Sequence, residues 1–316
     1  MRRDPQQAAG LELVGSKGQT WLAERGARSG LAPYYNPLDL RVQQAMQEVL
    51  REIVERYGKH PSLAGVAVIL SADGYAQLPG VEWGLDAQTL ARFARETRTV
   101  LPEGVEEQRQ AVLLEPLRRQ WIAWRAQTLS RAMGRMQREL GRLRSGLKLY
   151  VCGTSMFDRP ELQALLEPRA GKGAQVAEAL AAVGYLPEYW PASGDVVWVR
   201  PLREAPPALA ADQAGMASVN QAAELDDWCS RQMFAACSIY HPPLLGRVPS
   251  FDARGPFPDS RVWLVSQLAP GGAESRRRLA QGLAAFDARA VFAGGWLLPP
   301  QRTNSMHTSV TRCRII

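Results

Sequence analysis

The sequence predicts an α/β protein folded as a (β/α)8 TIM-type barrel that is incomplete on its N-terminal side. Short apolar runs of strand length alternate with amphipathic helices along the 316 residues, a pattern typical of a parallel sheet. The glycine motifs that bind phosphate in open nucleotide-binding sheets do not occur. About seven strand candidates are found where a closed barrel has eight, and the residues before 30 do not supply two further strand-helix units.

The first predicted unit is a helix followed by a buried strand. Apolar residues recur at helical spacing from Arg41 to Tyr57, and Gly58 fits the end of this helix. The apolar run from Val66 to Leu70 then has the length of a strand and the composition of one that is covered on both faces. Together they predict one unit of a parallel α/β fold.

The second predicted unit contains two helices. Asp86 is a candidate N-cap for a short helix that contains Leu90 and Phe93. A longer helix is predicted over residues 117–143, with Pro116 marking its start. Trp121 and Trp124 lie at helical spacing in this segment, which favours a core position for both.

The alternation continues towards the C-terminus. The further predicted strands are 149–153, 196–200, 234–240, 262–267 and 291–294; the further predicted helices are 176–183, 222–233 and 275–289; Leu31 to Tyr35 is a weak strand candidate; and residues 204–212 are a Pro/Ala-rich linker. The sequence therefore predicts three regions. They are an N-terminal extension or remnant of an upstream unit at 1–30, the partial barrel at 31–300, and an irregular tail at 301–316.

Charge and composition narrow the classes of partner. The chain carries 38 basic and 31 acidic residues, a formal charge of +7, and only four of the basic residues are lysine. We interpret the arginines as a compositional preference, spread along amphipathic helices beside glutamates, because nucleic-acid binding would require a contiguous arginine stripe. The sequence therefore predicts no nucleic-acid partner.

Metal, cofactor and membrane partners are not predicted either. The four cysteines and three histidines lack the spacing of metal ligands, so no metal or other cofactor is expected. No apolar stretch reaches the roughly 18 residues of a spanning helix, and residues 1–15 lack the apolar core of a signal peptide. The chain as written is therefore expected in the cytoplasm, although a longer parent could be secreted, and its oligomeric state stays open.

Short motifs follow one another in a recognisable order between residues 35 and 299. They are Tyr35-Asn36-Pro37-Leu38, His60 to Val68 leading into Ser71-Ala72-Asp73-Gly74-Tyr75, Trp121-Ile122-Ala123-Trp124-Arg125, Tyr240-His241-Pro242-Pro243, Ser250-Phe251-Asp252 and Gly294-Gly295-Trp296-Leu297-Leu298-Pro299. Over residues 11 to 300 this order resembles an uncharacterised branch of the glycosyl hydrolase family 10-like barrel proteins of bacteria. The resemblance implies a TIM-type barrel that acts on glycosidic bonds, and the missing first strands depart from the family pattern.

Hydrolysis of a glycosidic bond typically uses two carboxyl groups, one protonated and one ionised. Catalytic groups of barrels lie just after the strands, which selects Asp73 after the strand at 66–70 and Asp252 after the strand at 234–240. With the resemblance, this pair predicts a glycoside hydrolase-like protein. Asp73 also fits a turn and Asp252 also fits a structural pair with Arg254. The alternative is therefore a non-catalytic carbohydrate-binding or structural barrel remnant, and enzymatic activity stays open.

Other side chains near the predicted strand ends are candidates for contact with a carbohydrate. They are Tyr75, Trp83, Asp158, His241, Arg247, Gln267 and Trp296. A loop tryptophan can offer its ring to the apolar face of a sugar, which points to Trp83 and Trp296, and a core position is the equal alternative. His241 fits a bond to a sugar hydroxyl or a structural role, since the prolines after it would fix its orientation. Carbohydrate is the predicted partner.

Overall fold

The structure is a computed structural model that describes residues 10–25, 34–61, 63–102, 111–157, 159–166, 175–190 and 195–200. Four further strand segments are described by their backbone, at 236–241, 261–266, 290–293 and 314–315. Side chains are therefore discussed for the part of the chain up to residue 197.

The helices follow the predicted periodicity. They are α1 (Trp21–Arg25), α2 (Leu40–Tyr57), α3 (Ala87–Thr97), α4 (Arg118–Leu143), α5 (Pro160–Leu166) and α6 (Val176–Val183), with a 3-10 turn at Pro187–Tyr189. The helices predicted at 41–57, 117–143 and 176–183 are confirmed. Asp86 caps α3 as predicted, because its carboxylate accepts a hydrogen bond of 3.0 Å from the backbone N–H of Thr89.

The strands also fall close to the apolar runs. They are β1 (Gly65–Ser71), β2 (Lys148–Ser155), β3 (Val196–Arg200), β4 (Ala236–His241), β5 (Arg261–Ser266), β6 (Ala290–Ala293) and β7 (Arg314–Ile315). Two findings differ from the sequence prediction. Tyr35, the end of the weak strand candidate, forms a single antiparallel bridge with Glu12, and Arg314–Ile315 is a short strand within the tail that was predicted to be irregular.

The seven strands pair in the order in which they occur in the sequence, β1-β2-β3-β4-β5-β6-β7, and every pair is parallel. A barrel of strand-helix units has this sequential order, and the incomplete (β/α)8 barrel stays a prediction here. Gly65 begins β1 where the backbones approach closely, since a Cβ there would lie 2.0 Å from the Lys148 carbonyl oxygen. This position therefore accepts only glycine.

Helix α4 packs against β2, and α2 and α3 pack against α4. Trp121 and Trp124 are 0% and 3% exposed, their rings stack at 5.4 Å, and Phe93 of α3 meets both rings edge-on. The predicted core position of both tryptophans is therefore confirmed. Within the described ranges, no helix combines the length and the hydropathy needed to cross a membrane.

The N-terminal segment 10–25 packs into the same core. Leu13 and Trp21 are 2% and 0% exposed, and the backbone N–H of Leu13 donates to the Tyr34 carbonyl oxygen at 3.0 Å. The N–H groups of Gly84 and Leu85 both donate to the Val14 carbonyl oxygen, at 2.9 and 3.0 Å. The segment is thereby fixed against the loop that follows β1.

Candidate functional site

The site that the structure offers lies at the carboxyl ends of β1 and β2. The two strands run in register from Gly65 opposite Lys148 to Ile69 opposite Cys152, and the register then shifts by one residue before Ser71 meets Ser155. Such bulges turn the side chains that follow them, and they are frequent beside functional sites. The irregularity therefore directly precedes Asp73.

Asp73 lies in a tight turn after β1 and is half-buried. The turn is closed by the Gly74 N–H, which donates to the Ser71 carbonyl oxygen at 2.9 Å, and the Asp73 N–H donates to Ser71 Oγ at 3.3 Å. Asp73 Oδ1 accepts a hydrogen bond of 3.3 Å from the indole Nε1–H of Trp21. The structure therefore contains the turn at Asp73 that the sequence left open as an alternative to a functional role.

Trp21 is the centre of this region although it belongs to the short N-terminal helix α1. Its ring is fully buried and meets the Trp83 ring edge-on at 4.8 Å. The guanidinium carbon of Arg159 lies 4.9 Å from the centre of the Trp21 ring, which is cation–π distance. Trp21 therefore connects the loop after β1 with the residue that follows β2.

Arg159 is 8% exposed and is surrounded by oxygen acceptors. Its NH1 group donates to the Pro79 carbonyl oxygen at 3.0 Å and to Glu82 Oε1 at 3.3 Å, and its Nε lies 3.1 Å from Glu161 Oε2. Glu24 of α1 lies 3.9 Å from NH2. A buried guanidinium with this set of partners is fixed in position, and with it the carboxylate of Glu82.

We call Trp21, Asp73, Glu82, Trp83 and Arg159 the strand-end cluster. The loop that carries Glu82 also contacts Arg125 of α4. Arg125 is fully buried, and its NH2 group donates to the Gly80 and Ala182 carbonyl oxygens at 2.7 and 2.9 Å. Burial lowers the pKa of Arg125 to about 9, although the charge of Glu82 acts against this shift. The loop that carries Glu82 is therefore rigidly attached to the core.

Tyr75 follows Asp73 and stacks on Tyr35. The two rings are nearly parallel, with an interplanar angle of 23° and a centroid distance of 5.8 Å, and both residues are half-buried. This pair places aromatic surface two residues after Asp73. Tyr75 is a predicted contact residue that the structure describes close to Asp73 along the chain.

Trp83, predicted as a sugar platform or a core residue, is 1% exposed. Its ring is covered by Trp21 and by residues near Gly15, with which it forms a β-bridge. A ring in this position offers no open face for a sugar to stack on. The structure therefore supports the core alternative for Trp83.

Several predicted site residues lie outside the described residues. Asp158, Arg247, Asp252, Gln267 and Trp296 belong to this group, and the side chain of His241, the last residue of β4, does as well. The proposed pair of Asp73 and Asp252 therefore has no measured separation. The hypothesis that both carboxylates act together stays a prediction.

Sequence reasoning missed Trp21, Glu82 and Arg159. Arg159 lies in the same short link between β2 and α5 as Asp158, so the rule that selected Asp158 points to Arg159 equally well. Trp21 and Glu82 carry no local signal, because their partners are 52 and 77 residues away in the sequence.

No group of three or more potential metal ligands occurs in the ranges that the structure describes. Comparisons with protein-family models, with curated proteins and with solved structures find no match. The resemblance to glycosyl hydrolase family 10-like barrels therefore rests on the sequence motifs.

Proposed function

We propose that this protein is a glycoside hydrolase-like barrel that hydrolyses O-glycosidic bonds, with Asp73 as one of its two reacting carboxyl groups. The observation that carries the proposal is the position of Asp73. It follows the bulged end of β1, next to the stacked Tyr35 and Tyr75, at the edge where parallel strands of such folds hold their catalytic groups.

The surroundings of Asp73 suit a carboxyl group that must keep one orientation. Trp21 donates to one oxygen of Asp73, and Arg159 fixes Trp21 through its ring face. Preorganised groups react faster because they need no reorganisation when the substrate arrives. The half-buried tyrosine pair beside Asp73 would supply aromatic surface for a sugar ring and hydroxyl groups for its substituents.

The reaction requires a second carboxyl group about 5 to 10 Å from the first. Asp252 is the partner that the sequence proposes. Glu82 is the carboxylate that we propose among the described residues, because it lies in the loop after β1 and Arg159 binds it at 3.3 Å; Glu24 and Glu161 also contact Arg159 but belong to helices α1 and α5. The two candidates come from different parts of the fold. Asp252 would come from a distant strand end, and Glu82 comes from the loop that follows β1.

A second candidate is a carbohydrate-binding barrel without turnover. The hydrogen bond from the buried Trp21 to Asp73 favours it, because this bond gives the carboxylate a structural task of its own. The turn bonds around Ser71 and Gly74 act in the same direction. In this case Asp73 shapes the loop and the tyrosines alone contact the sugar.

The test is a panel of soluble polysaccharides and aryl glycosides incubated with the full chain, in which released reducing ends and binding are both measured. Hydrolysis with at least one substrate is the expected result. Glu82→Gln and Asp252→Asn then identify the second carboxyl group, since only the correct one should reduce turnover by about 10²-fold or more.

Glu52→Gln is the matched control, because Glu52 is exposed on α2 and its ion pair among the described residues is with Arg56 of the same helix. Binding without release of reducing ends would favour the second candidate. If a correctly folded protein neither binds nor hydrolyses any member of the panel, both carbohydrate functions are wrong.

A further inference from the structure

Four arginines form a row on one face of α4. Arg131, Arg135, Arg138 and Arg142 are spaced four, three and four residues apart, which places them along a single stripe of an α-helix. The row covers about 16 Å at about 1.5 Å of rise per residue. Arg131, Arg138 and Arg142 are exposed and Arg135 is half-buried.

Most arginines of this row have no acidic side chain close enough to neutralise their charge. Glu96 of α3 lies 2.6 Å from Arg92 and 3.7 Å from Arg131, and Glu139 is bound to Arg51 of α2 at 2.7 Å. Within the residues that the structure describes, Arg135, Arg138 and Arg142 have no carboxylate within 4.0 Å. The row is therefore a local excess of positive charge.

The surroundings of Arg135 show the same excess. Burial lowers the pKa of Arg135, and the like charges of Arg92, Arg138 and Arg131 lower it further. Arg135 donates to Gln43 Oε1, a neutral acceptor that offsets none of this charge. An anion close to the row would relieve the repulsion between these guanidinium groups.

A polar groove lies beside the row, between α2 and α4. Its volume is about 320 Å³, and its lining residues are Leu40, Gln43, Gln44, Gln47, Glu48, Arg51 and Arg135. Arg51 and the Gln47 amide add donors for phosphate oxygens beside the row, while Glu48 is an acceptor that Gln44 Nε2 already binds at 3.4 Å. Row and groove together form one surface on the outside of the helical layer.

We propose that the arginine row of α4, with the adjoining groove, binds the phosphate backbone of a nucleic-acid duplex without reading its sequence. This interaction is separate from the carbohydrate site at the strand ends and reverses the sequence expectation of no nucleic-acid partner. Four of the arginines lie on one face of α4 and form a contiguous stripe of the kind that such binding requires.

The dimensions and the chemistry of the row fit a duplex strand. Each strand of DNA presents one phosphate per about 3.4 Å of helix axis, so about 16 Å of row faces four to five phosphates. Single strands are usually held by aromatic rings on which bases stack, and the tryptophans of α4 are buried. Contact with phosphates alone fixes position and carries no sequence information.

An anionic membrane surface fits less well. A helix that lies on a bilayer inserts apolar side chains beside its charges. Among the described residues, the large apolar side chains that are exposed are Leu40, Val49, Tyr57, Ile69 and Val100, and none of them belongs to α4. Of these, Leu40 lines the groove, and a single exposed apolar side chain beside the row is less than a bilayer-bound helix inserts, which favours a polyanion in water.

The test uses fluorescence anisotropy of a labelled 20-base-pair DNA duplex with the full-length protein at several salt concentrations. Four phosphate contacts predict that log K falls with log salt at a slope of about −3 to −4. The triple variant Arg131→Gln, Arg138→Gln, Arg142→Gln should reduce this slope by about 2.7 and weaken binding at low salt at least tenfold.

The matched control is the triple variant Lys17→Gln, Arg56→Gln, Arg119→Gln, which removes the same charge from exposed positions outside the row. It should keep the wild-type slope. No duplex binding at low salt, or an equal loss in the control, would overturn the proposal. So would equal affinity for alginate of matched charge or for anionic vesicles, because the ligand class would then be wrong.

Discussion

Trp21→Phe is the substitution that tests the strand-end cluster most sharply. It removes the indole N–H that donates to Asp73 at 3.3 Å and weakens the contact of the ring with Arg159 at 4.9 Å. A hydrogen bond to a charged group contributes about 1.5 to 3 kcal/mol, and a cation–π contact of this kind about 0.5 to 1 kcal/mol. The bond is long and Asp73 is half-buried, so we expect a loss of about 2 to 3 kcal/mol in the free energy of unfolding.

Trp83→Phe is the matched control. Trp83 is as deeply buried as Trp21 and touches it, but its indole Nε1–H has no hydrogen-bond partner among the residues that the structure describes. The control therefore removes ring volume without removing a hydrogen bond. Urea unfolding followed by far-ultraviolet circular dichroism measures both variants, with unchanged m-values as the sign that only stability has changed.

The comparison between the two variants decides the outcome. Trp21→Phe should cost more than Trp83→Phe by about 2 kcal/mol. If Trp83→Phe costs as much or more, Trp21 stabilises the protein only as an apolar ring. The link from Arg159 through Trp21 to Asp73 would then be wrong.

Three further predictions concern β1 and β2. Burial raises the pKa of Cys152 to about 12 from 9.0, so peptide mapping should find this thiol alkylated at pH 8 only after unfolding; alkylation of the native thiol would refute its burial. Because the unfolded thiol loses its proton first, the free energy of unfolding of the wild type should fall relative to Cys152→Ala as pH rises from about 9 to about 12, and parallel curves would contradict this. Gly65→Ala should cost at least about 2 kcal/mol in chemical denaturation, because its Cβ would lie 2.0 Å from the Lys148 carbonyl oxygen; a neutral effect would mean that the strands can separate there.

Much of the fold could be predicted because it depends on local patterns. The helix at Leu40–Tyr57 and the strand at Gly65–Ser71 follow from apolar spacing, and the cap at Asp86 follows from a residue type at a fixed offset. Parallel pairing follows from the alternation of the elements. These signals all lie within a few residues of the structure that they predict.

The N-terminal segment could not be predicted in the same way. Leu13 and Trp21 have no periodic neighbours, and they become core residues through contacts with Tyr34, Trp83 and Arg159. Trp83 looks like a loop residue because prolines and glycines surround it. Its burial depends on a segment about 60 residues earlier, which no local pattern reports.

The candidate site could be predicted only in part, because only part of it depends on local sequence features. Asp73 and Tyr75 were found because a strand end is a local feature. Arg125 was noticed as part of a motif, and its full burial goes against the usual exposure of arginine. Carbonyl groups of Gly80 and Ala182 make that burial possible, and they meet only in the folded chain.

The arginine row shows that a charged surface cannot be recognised from composition alone. Along the sequence, the arginines between Arg131 and Arg142 are separated by other residues, among them glutamine, glycine and glutamate. No cluster of charge is therefore apparent. On α4 the glutamate turns towards Arg51, and the arginines align on one face. The helical spacing of these arginines can be read from the sequence. The contacts that pair the nearby carboxylates with other arginines form only in the folded chain.

The most direct test of the account is the effect of Asp73→Asn on turnover of whichever glycoside the wild type hydrolyses. Asparagine keeps an oxygen that can accept the hydrogen bond from Trp21 but cannot exchange a proton or attack a sugar. We predict that the hydrolysis rate falls by about 10²- to 10⁴-fold while the chemical denaturation midpoint stays close to that of the wild type. A folded variant that keeps its rate within a few-fold would contradict a reacting role for Asp73 and leave it as a turn residue.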